Sequence, residues 1–268
     1  MMKNLTQMTH FQRGFTLVEA VMVIVITGIV AGMVAVFIKA PVDAYFDTQR
    51  RAELTDIADT TLRRMARDIH RALPNSVRIS GNYLEFIPIK GAGRYRAEAG
   101  TAAGDDPLDF GLAADAFDVL GPAVLVTTGD SVVIYNLGIP GSDAYAGTSR
   151  RVAAPSGAKI SFSGGPFPFS SPGNRFQVVG TAATYECAPD AATPANGFLR
   201  RYSGYAIQAT QPAPTTGGSV LVSNVAACSM NYTSGVLQRQ GLVSIRLTIS
   251  RDGEAVTLQH QVNVDNTP

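Results

Sequence analysis

The chain has 268 residues, 22 Lys+Arg against 21 Asp+Glu for a formal net charge of +1, 46% hydrophobic residues and only 16% charged ones. Charge this low and this balanced, beside so much apolar content, excludes an intrinsically disordered chain, and no domain-wide positive charge is available for a general nucleic-acid binder. The apolar content is too modest for a polytopic membrane protein, and the length allows one or two domains.

Residues 1–14 contain Lys3, His10 and Arg13 and no acid, which makes a short cationic leader. From Leu17 to Ile38 the chain is apolar apart from Glu19, Thr27, Gly28 and Gly32. As a helix this stretch rises about 33 Å, enough to cross a bilayer core. A secretory signal peptide would need a shorter apolar core and a small-x-small cleavage site, and Ile38-Lys39-Ala40 is a poor one. Orientation does not follow from Lys/Arg counting, because Lys3 and Arg13 on one side face Lys39, Arg50 and Arg51 on the other. Glu19 is costly there, by about 2.5–3.5 kcal/mol near a bilayer centre, so it needs a cationic partner or a place among the headgroups.

Pro41 stands where it can bend the helix or restart it. Between Val42 and Leu73, the residues Leu54, Ile57, Ala58, Thr61, Leu62, Met65, Ile69 and Leu73 recur at steps of three and four, one apolar stripe of an amphipathic helix. Pro74-Asn75-Ser76 ends it. Its polar face is segregated. Asp43, Asp47, Glu53, Asp56 and Asp59 come first, and Arg63, Arg64, Arg67 and Arg71 follow with only Asp68 against them, an order that suits the macrodipole or pairing between stacked subunits.

Beyond Pro74 turn residues become frequent and the pattern is that of strands. Candidates are Tyr83–Ile89, Val124–Thr128 turning through Gly129 into Val132–Asn136, Arg175–Val179, Thr184–Cys187 and Gly204–Ala209. The clearest pair is last: Val243, Ile245, Leu247 and Ile249 alternate with polar residues, Asp252-Gly253 supplies a turn, and Val256, Leu258, His260, Val262 and Val264 alternate on the way back. The expected fold class is α+β, with the helical stripe packed on an antiparallel sheet. The segments 91–121 and 140–173 read as long loops or small insertions. Asp105, Asp106, Asp109, Asp115 and Asp118 cluster in the first with no base nearby, as a solvated acidic loop or, less in keeping with their spacing, a calcium site. Catalytic motifs are absent from the sequence: it has no Gly-x-Ser-x-Gly, no phosphate loop and no His-Glu-x-x-His, and Gly91-Ala92-Gly93 lacks the third glycine of a dinucleotide fingerprint. No cofactor, metal or small-molecule substrate is expected, and His260 reads as a core or rim residue.

The junction Arg13-Gly14-Phe15-Thr16-Leu17-Val18-Glu19 resembles the prepilin signature of type IV pilins and of the pseudopilins of type II secretion. The stretch from Leu62 to Arg78 is similar to the helix end of J-type minor pilins, and Gly241–Leu247 with His260–Pro268 resembles minor pilins of MSHA (mannose-sensitive haemagglutinin) biogenesis. The resemblance implies a leader (1–14) removed by a prepilin peptidase between Gly14 and Phe15, N-methylation of Phe15, a membrane and filament-core helix (15–38), an amphipathic helix (39–73) and a β-rich globular domain (74–268). It implies single-pass insertion in the bacterial inner membrane, with the leader in the cytoplasm and the globular domain in the periplasm or on a surface pilus. Glu19 would then pair with a positively charged mature N-terminus during assembly. Cys187 and Cys228, both placed outside the cytoplasm, are expected to form a disulfide, the alternative being two buried thiols. The implied protein is a non-enzymatic minor pilin whose partners are the peptidase, other minor pilins and the major pilin. Alternatives are a J-type minor pseudopilin and a pilus-borne adhesin or DNA-uptake subunit.

Overall fold

The computed structural model describes residues 14–101, 105–155, 157–234 and 240–268, apart from the side chain of Ala40. The leader residues Lys3, His10 and Arg13 lie outside these. The fold is α+β, a long N-terminal helix followed by antiparallel β-sheet. Contacts divide the chain into two units, Met1–Arg50 and Arg51–Pro268, within which one helix, α1 (Leu17–Ile69), runs without a break. Pro41 lies inside that helix and does not end it.

In the second unit the helical stripe is buried as its spacing predicts. Leu54, Ala58, Leu62, Met65 and Ile69 are each at most 2% exposed. They pack with residues of two sheets in one apolar core. The first sheet has the order β1 (Arg78–Ser80), β2 (Tyr83–Phe86), β9 (Ala182–Ala188), β10 (Phe198–Tyr205), β11 (Ser219–Ser223). The second is β12 (Val225–Thr233), β13 (Gln240–Arg251), β14 (Glu254–Asp265). Burying a large aliphatic side chain contributes about 1.5–3 kcal/mol, so the stripe is a principal source of this unit's stability. The β13–β14 hairpin has Arg251 opposite Glu254, and Asp252 and Gly253 at its tip both have positive φ (53° and 82°), the conformation a two-residue turn requires. Two ion pairs, Arg51–Glu254 and Glu53–Arg251, each 2.6 Å, clip this tip to the helix.

The helix ends at Ile69, one turn before the predicted Leu73, because the chain tightens there: the N–H of Arg71 bonds the carbonyl of Asp68 and that of Ala72 the carbonyl of Ile69. Leu73 remains fully buried. Asp68 fixes this end to the first sheet, accepting Tyr185 Oη at 2.7 Å and Arg201 Nε at 2.8 Å. Burial first, and then the Asp68 carboxylate, push the Tyr185 hydroxyl well above its ordinary range.

The largest departure from the sequence reading lies between β2 and β9. The segments 91–121 and 140–173, expected as long loops or small insertions, supply strands of a closed six-stranded barrel in the order β3 (Ile89–Tyr95), β4 (Ala114–Leu120), β7 (Lys159–Ser163), β6 (Arg150–Ala153), β5 (Ser131–Val133), β8 (Arg175–Val179). Its interior holds Tyr95, Phe117, Ile160, Phe162, Phe176 and Val178. Gly91 and Gly93, which look like loop residues, alternate inward on β3, where a Cβ would come within 2.8 Å of Val124 and of Phe176 respectively. Their missing side chains make room for those of other strands. The predicted single strand 83–89 is two, divided at Ile87-Pro88, one strand in the sheet and one in the barrel. Barrel entry and exit are adjacent, since Phe86 pairs with Ala183 in the sheet and Ile89 with Val179 in the barrel. The barrel is thus inserted at the end of the β2–β9 pair.

One predicted strand is absent and another is cut short. Val124–Thr128 is irregular because its polar groups are engaged elsewhere: Val124 N–H bonds the carbonyl of Gly157, and Thr127 N–H and Oγ1 bond the Asp130 carboxylate. Accordingly β5 pairs with β6 and β8 instead. Only Gly204 and Tyr205 of Gly204–Ala209 are in a strand, at the end of β10. The carbonyls of Gln208 and Ala209 accept the Arg78 guanidinium, which also bonds the fully buried Glu85 and lies 3.5 Å from the centre of the Tyr145 ring. The acidic cluster is also corrected, because bases reach it: Arg96, from the same segment, pairs with Asp105 and Asp118, and Lys159, from β7, with Asp106. The Asp106 N–H holds the Asp118 carboxyl below the ordinary carboxylate range, with Arg96 and Lys159 assisting.

Two outcomes test these anchors. Asp68→Ala leaves Tyr185 and Arg201 without their shared acceptor and should cost about 2–3 kcal/mol in chemical denaturation. Asp130 is buried, which pushes its carboxyl up, but bonds from Lys90 and Thr127 outweigh burial and hold it below its ordinary range. Its stabilising contribution is therefore fully present above the unfolded value of about 4 and lost as pH falls through the lower folded value. Unfolding measured against pH should show a flatter acid limb in Asp130→Asn than in the wild type.

Candidate functional site

The N-terminal segment begins where the polar leader meets the apolar run. Nothing lies within 4 Å of where a Cβ would stand on Gly14, and Phe15 is 77% exposed. Thr16 caps the helix: its Oγ1 accepts the N–H of Glu19 at 3.3 Å and its carbonyl accepts that of Ala20 at 3.1 Å. The sequence reading passed over this role, although Thr16-Leu17-Val18-Glu19 has the Thr-x-x-Glu spacing of a capping box. Glu19 is thereby held in the first turn, where a carboxylate is favoured by the helix dipole.

From Phe15 to Lys39 every residue is exposed. Ile24 and Met33, at 71% and 66%, point to opposite sides of the helix, and Phe37, on the same side as Met33, is 85% exposed. A helix apolar all round and nowhere buried is made for a lipid or helical environment rather than for water. By length and composition this is the one helix able to cross a membrane among the described residues. Gly28 and Gly32, four residues apart, also have no neighbour within 4 Å of a built Cβ. Glycine within a helix costs about 1 kcal/mol relative to alanine, and nothing in the chain's own packing requires it at either place. This small-x-x-x-small spacing, also passed over in the sequence, is suited to close approach of a second helix.

The polar face of α1 in the second unit is only partly satisfied internally. Glu53 pairs with Arg251, Asp59 with Arg63 and Asp68 with Arg201. Arg64 and Arg67, and Arg71 just past the helix end, are exposed and have no ion-pair partner among the described residues. Cys187 on β9 and Cys228 on β12 form a disulfide that joins the two sheets across the core, with a sequence separation of 41. His260 faces the core side of β14 opposite Ile245 and is half-buried. Among the described residues no group of three or more His, Cys, Asp or Glu side chains is placed to hold a metal ion.

Residues 9–35 match the prokaryotic N-terminal methylation motif. The match supports a type IV pilin-like or pseudopilin subunit. It spans the Gly14–Phe15 junction, Glu19 and most of the apolar helix, and it implies processing by a prepilin peptidase and assembly with pilins. No curated protein and no solved structure matches the chain. The β-rich unit is therefore understood from its own geometry.

The disulfide closes a loop of a length for which chain entropy gives about 4 kcal/mol. Cys187→Ser with Cys228→Ser should lower the denaturation midpoint correspondingly. Thiol titration of the denatured, unreduced wild type should find no free cysteine.

Proposed function

We propose that this protein is a non-enzymatic minor pilin, an assembly subunit held in the inner membrane by residues 15–38 until it joins a filament. The observation that carries the reading is the junction at Gly14-Phe15: a methylation motif placed at the start of an apolar helix that is exposed on every side. In this reading a prepilin peptidase cleaves after Gly14 and methylates the amine of Phe15, the leader lies in the cytoplasm, and the disulfide-bonded unit lies on the far side of the membrane. The retained helix serves first as anchor and then, among the helices of other minor pilins and the major pilin, as part of a filament core. Gly28 and Gly32 allow those helices to approach closely. The unpaired Arg64, Arg67 and Arg71 face acidic positions such as Asp43 and Asp56 of an axially displaced neighbour.

Glu19 has the central part in this scheme. In an apolar filament core its charge needs a counter-charge, and the methylated amine of Phe15, in the same or a neighbouring subunit, supplies it. The finer assignment, an MshO-like minor pilin of an MSHA-type pilus, rests on the resemblance of Gly241–Leu247 and His260–Pro268. A J-type minor pseudopilin has the same helix and differs in the system it serves, which the neighbouring genes distinguish.

Intact-mass measurement of the membrane-extracted protein should give a chain that begins at Phe15 and carries one added methyl group. A start near Val42 would mean signal-peptide cleavage and would remove the pilin reading. Glu19→Val makes the helix more apolar, so cleavage and membrane retention should persist while incorporation into sheared filaments falls at least several-fold. Normal incorporation would reduce Glu19 to an interfacial residue.

A further inference from the structure

The inserted barrel carries a second feature, independent of the pilin reading. On its outer wall Arg94 of β3 and Arg175 of β8 stand directly opposite each other in register, both exposed. Like charges at paired positions repel, and no acidic side chain among the described residues pairs with either of them. The arrangement is also built: the Arg175 stem lies over Gly173, where a Cβ would come within 3.2 Å of its Nε. Beside Arg175 opens a cavity of about 370 Å³ whose walls include Tyr135, Pro172 and Asn266. Tyr135 has φ 52°, a left-handed backbone that bulky residues seldom adopt and that is found disproportionately at ligand sites.

We propose that this face of the barrel binds an acidic saccharide, with the carboxylate or sulfate held between Arg94 and Arg175 and the sugar body in the adjoining cavity. Guanidinium forks match oxyanions bidentately, and one bound anion converts the repulsion between the two arginines into a shared attraction. The Tyr135 ring and Pro172 give the sugar's C–H face an apolar floor. The cavity volume suits one or two sugar rings. Two arginines and one aromatic ring are too few for a nucleic acid, whose binding rests on many phosphate contacts or on successive stacked bases.

The test uses the full chain in detergent micelles, with thermal unfolding followed at constant ionic strength against sialyllactose, lactose, inorganic phosphate and a short single-stranded DNA. A ligand of the folded state raises the midpoint with concentration. Sialyllactose should raise it and lactose should not. Arg94→Gln and Arg175→Gln should each weaken the apparent affinity at least tenfold, while unfolding at or above the wild-type midpoint without ligand because the repulsion is gone. Arg246→Gln, an exposed charge on β13, should respond as the wild type does. The proposal is overturned if sialyllactose leaves the wild-type midpoint unchanged, or if the Arg94 and Arg175 variants respond like the wild type. A response to phosphate as strong as that to sialyllactose would overturn the saccharide, and a stronger response to DNA would replace it with a nucleic-acid surface.

Discussion

The β-rich unit depends on one seam, the buried stripe of α1 from Leu54 to Ile69. Every turn of the helix in this span adds a fully or almost fully buried apolar side chain to the one core that strands of both sheets share, and the Cys187–Cys228 disulfide joins the same two sheets. Polar anchors are distributed along the same seam. The pairs Arg51–Glu254 and Glu53–Arg251 hold its beginning to the hairpin tip, and the Asp68–Tyr185–Arg201 cluster holds its end to β9 and β10. Exposed ion pairs contribute at most about 1 kcal/mol each, so the apolar stripe supplies the stability and the anchors fix the register at which the helix lies.

The same helix obeys opposite rules in its first part. There the apolar residues encircle the axis, none is buried, and two glycines weaken the helix with no return from the chain's own packing. A sequence selected only for one folded chain would not keep such a surface. Its chemistry is that of a segment whose partners are lipids at one stage and other helices at another, and the pilin-like reading supplies both. In the proposed scheme Glu19 is the charge to be matched from outside the helix, while Thr16 settles the backbone of the same turn from within.

The barrel adds a separate surface without disturbing this design. Because its entry and exit strands lie side by side at the end of the β2–β9 pair, it occupies a site that elsewhere would hold a turn. Its aromatic interior is separate from the helix–sheet core. Its outer wall is free to carry features, such as the opposed Arg94 and Arg175, that serve no purpose in folding.

Whatever depends on local order could be read from the residues alone. The apolar run, its boundary at Gly14-Phe15, the amphipathic stripe and the final hairpin with its Asp252-Gly253 turn are periodicities or junctions within a few neighbouring residues, and each was legible there. The barrel was not. Gly91 and Gly93 look like loop residues until Phe176 and Val124 occupy the space they leave, and β4, with Asp115 and Asp118 in it, reads as part of an acidic loop until the fold turns Arg96 back onto Asp118 and brings Lys159 to Asp106. The Gly204–Ala209 strand failed because Arg78, more than a hundred residues away, takes the carbonyls of Gln208 and Ala209. Strand pairing and charge compensation across such separations carry no local signal, since each residue's preference is set by a partner that only the folded chain brings within reach.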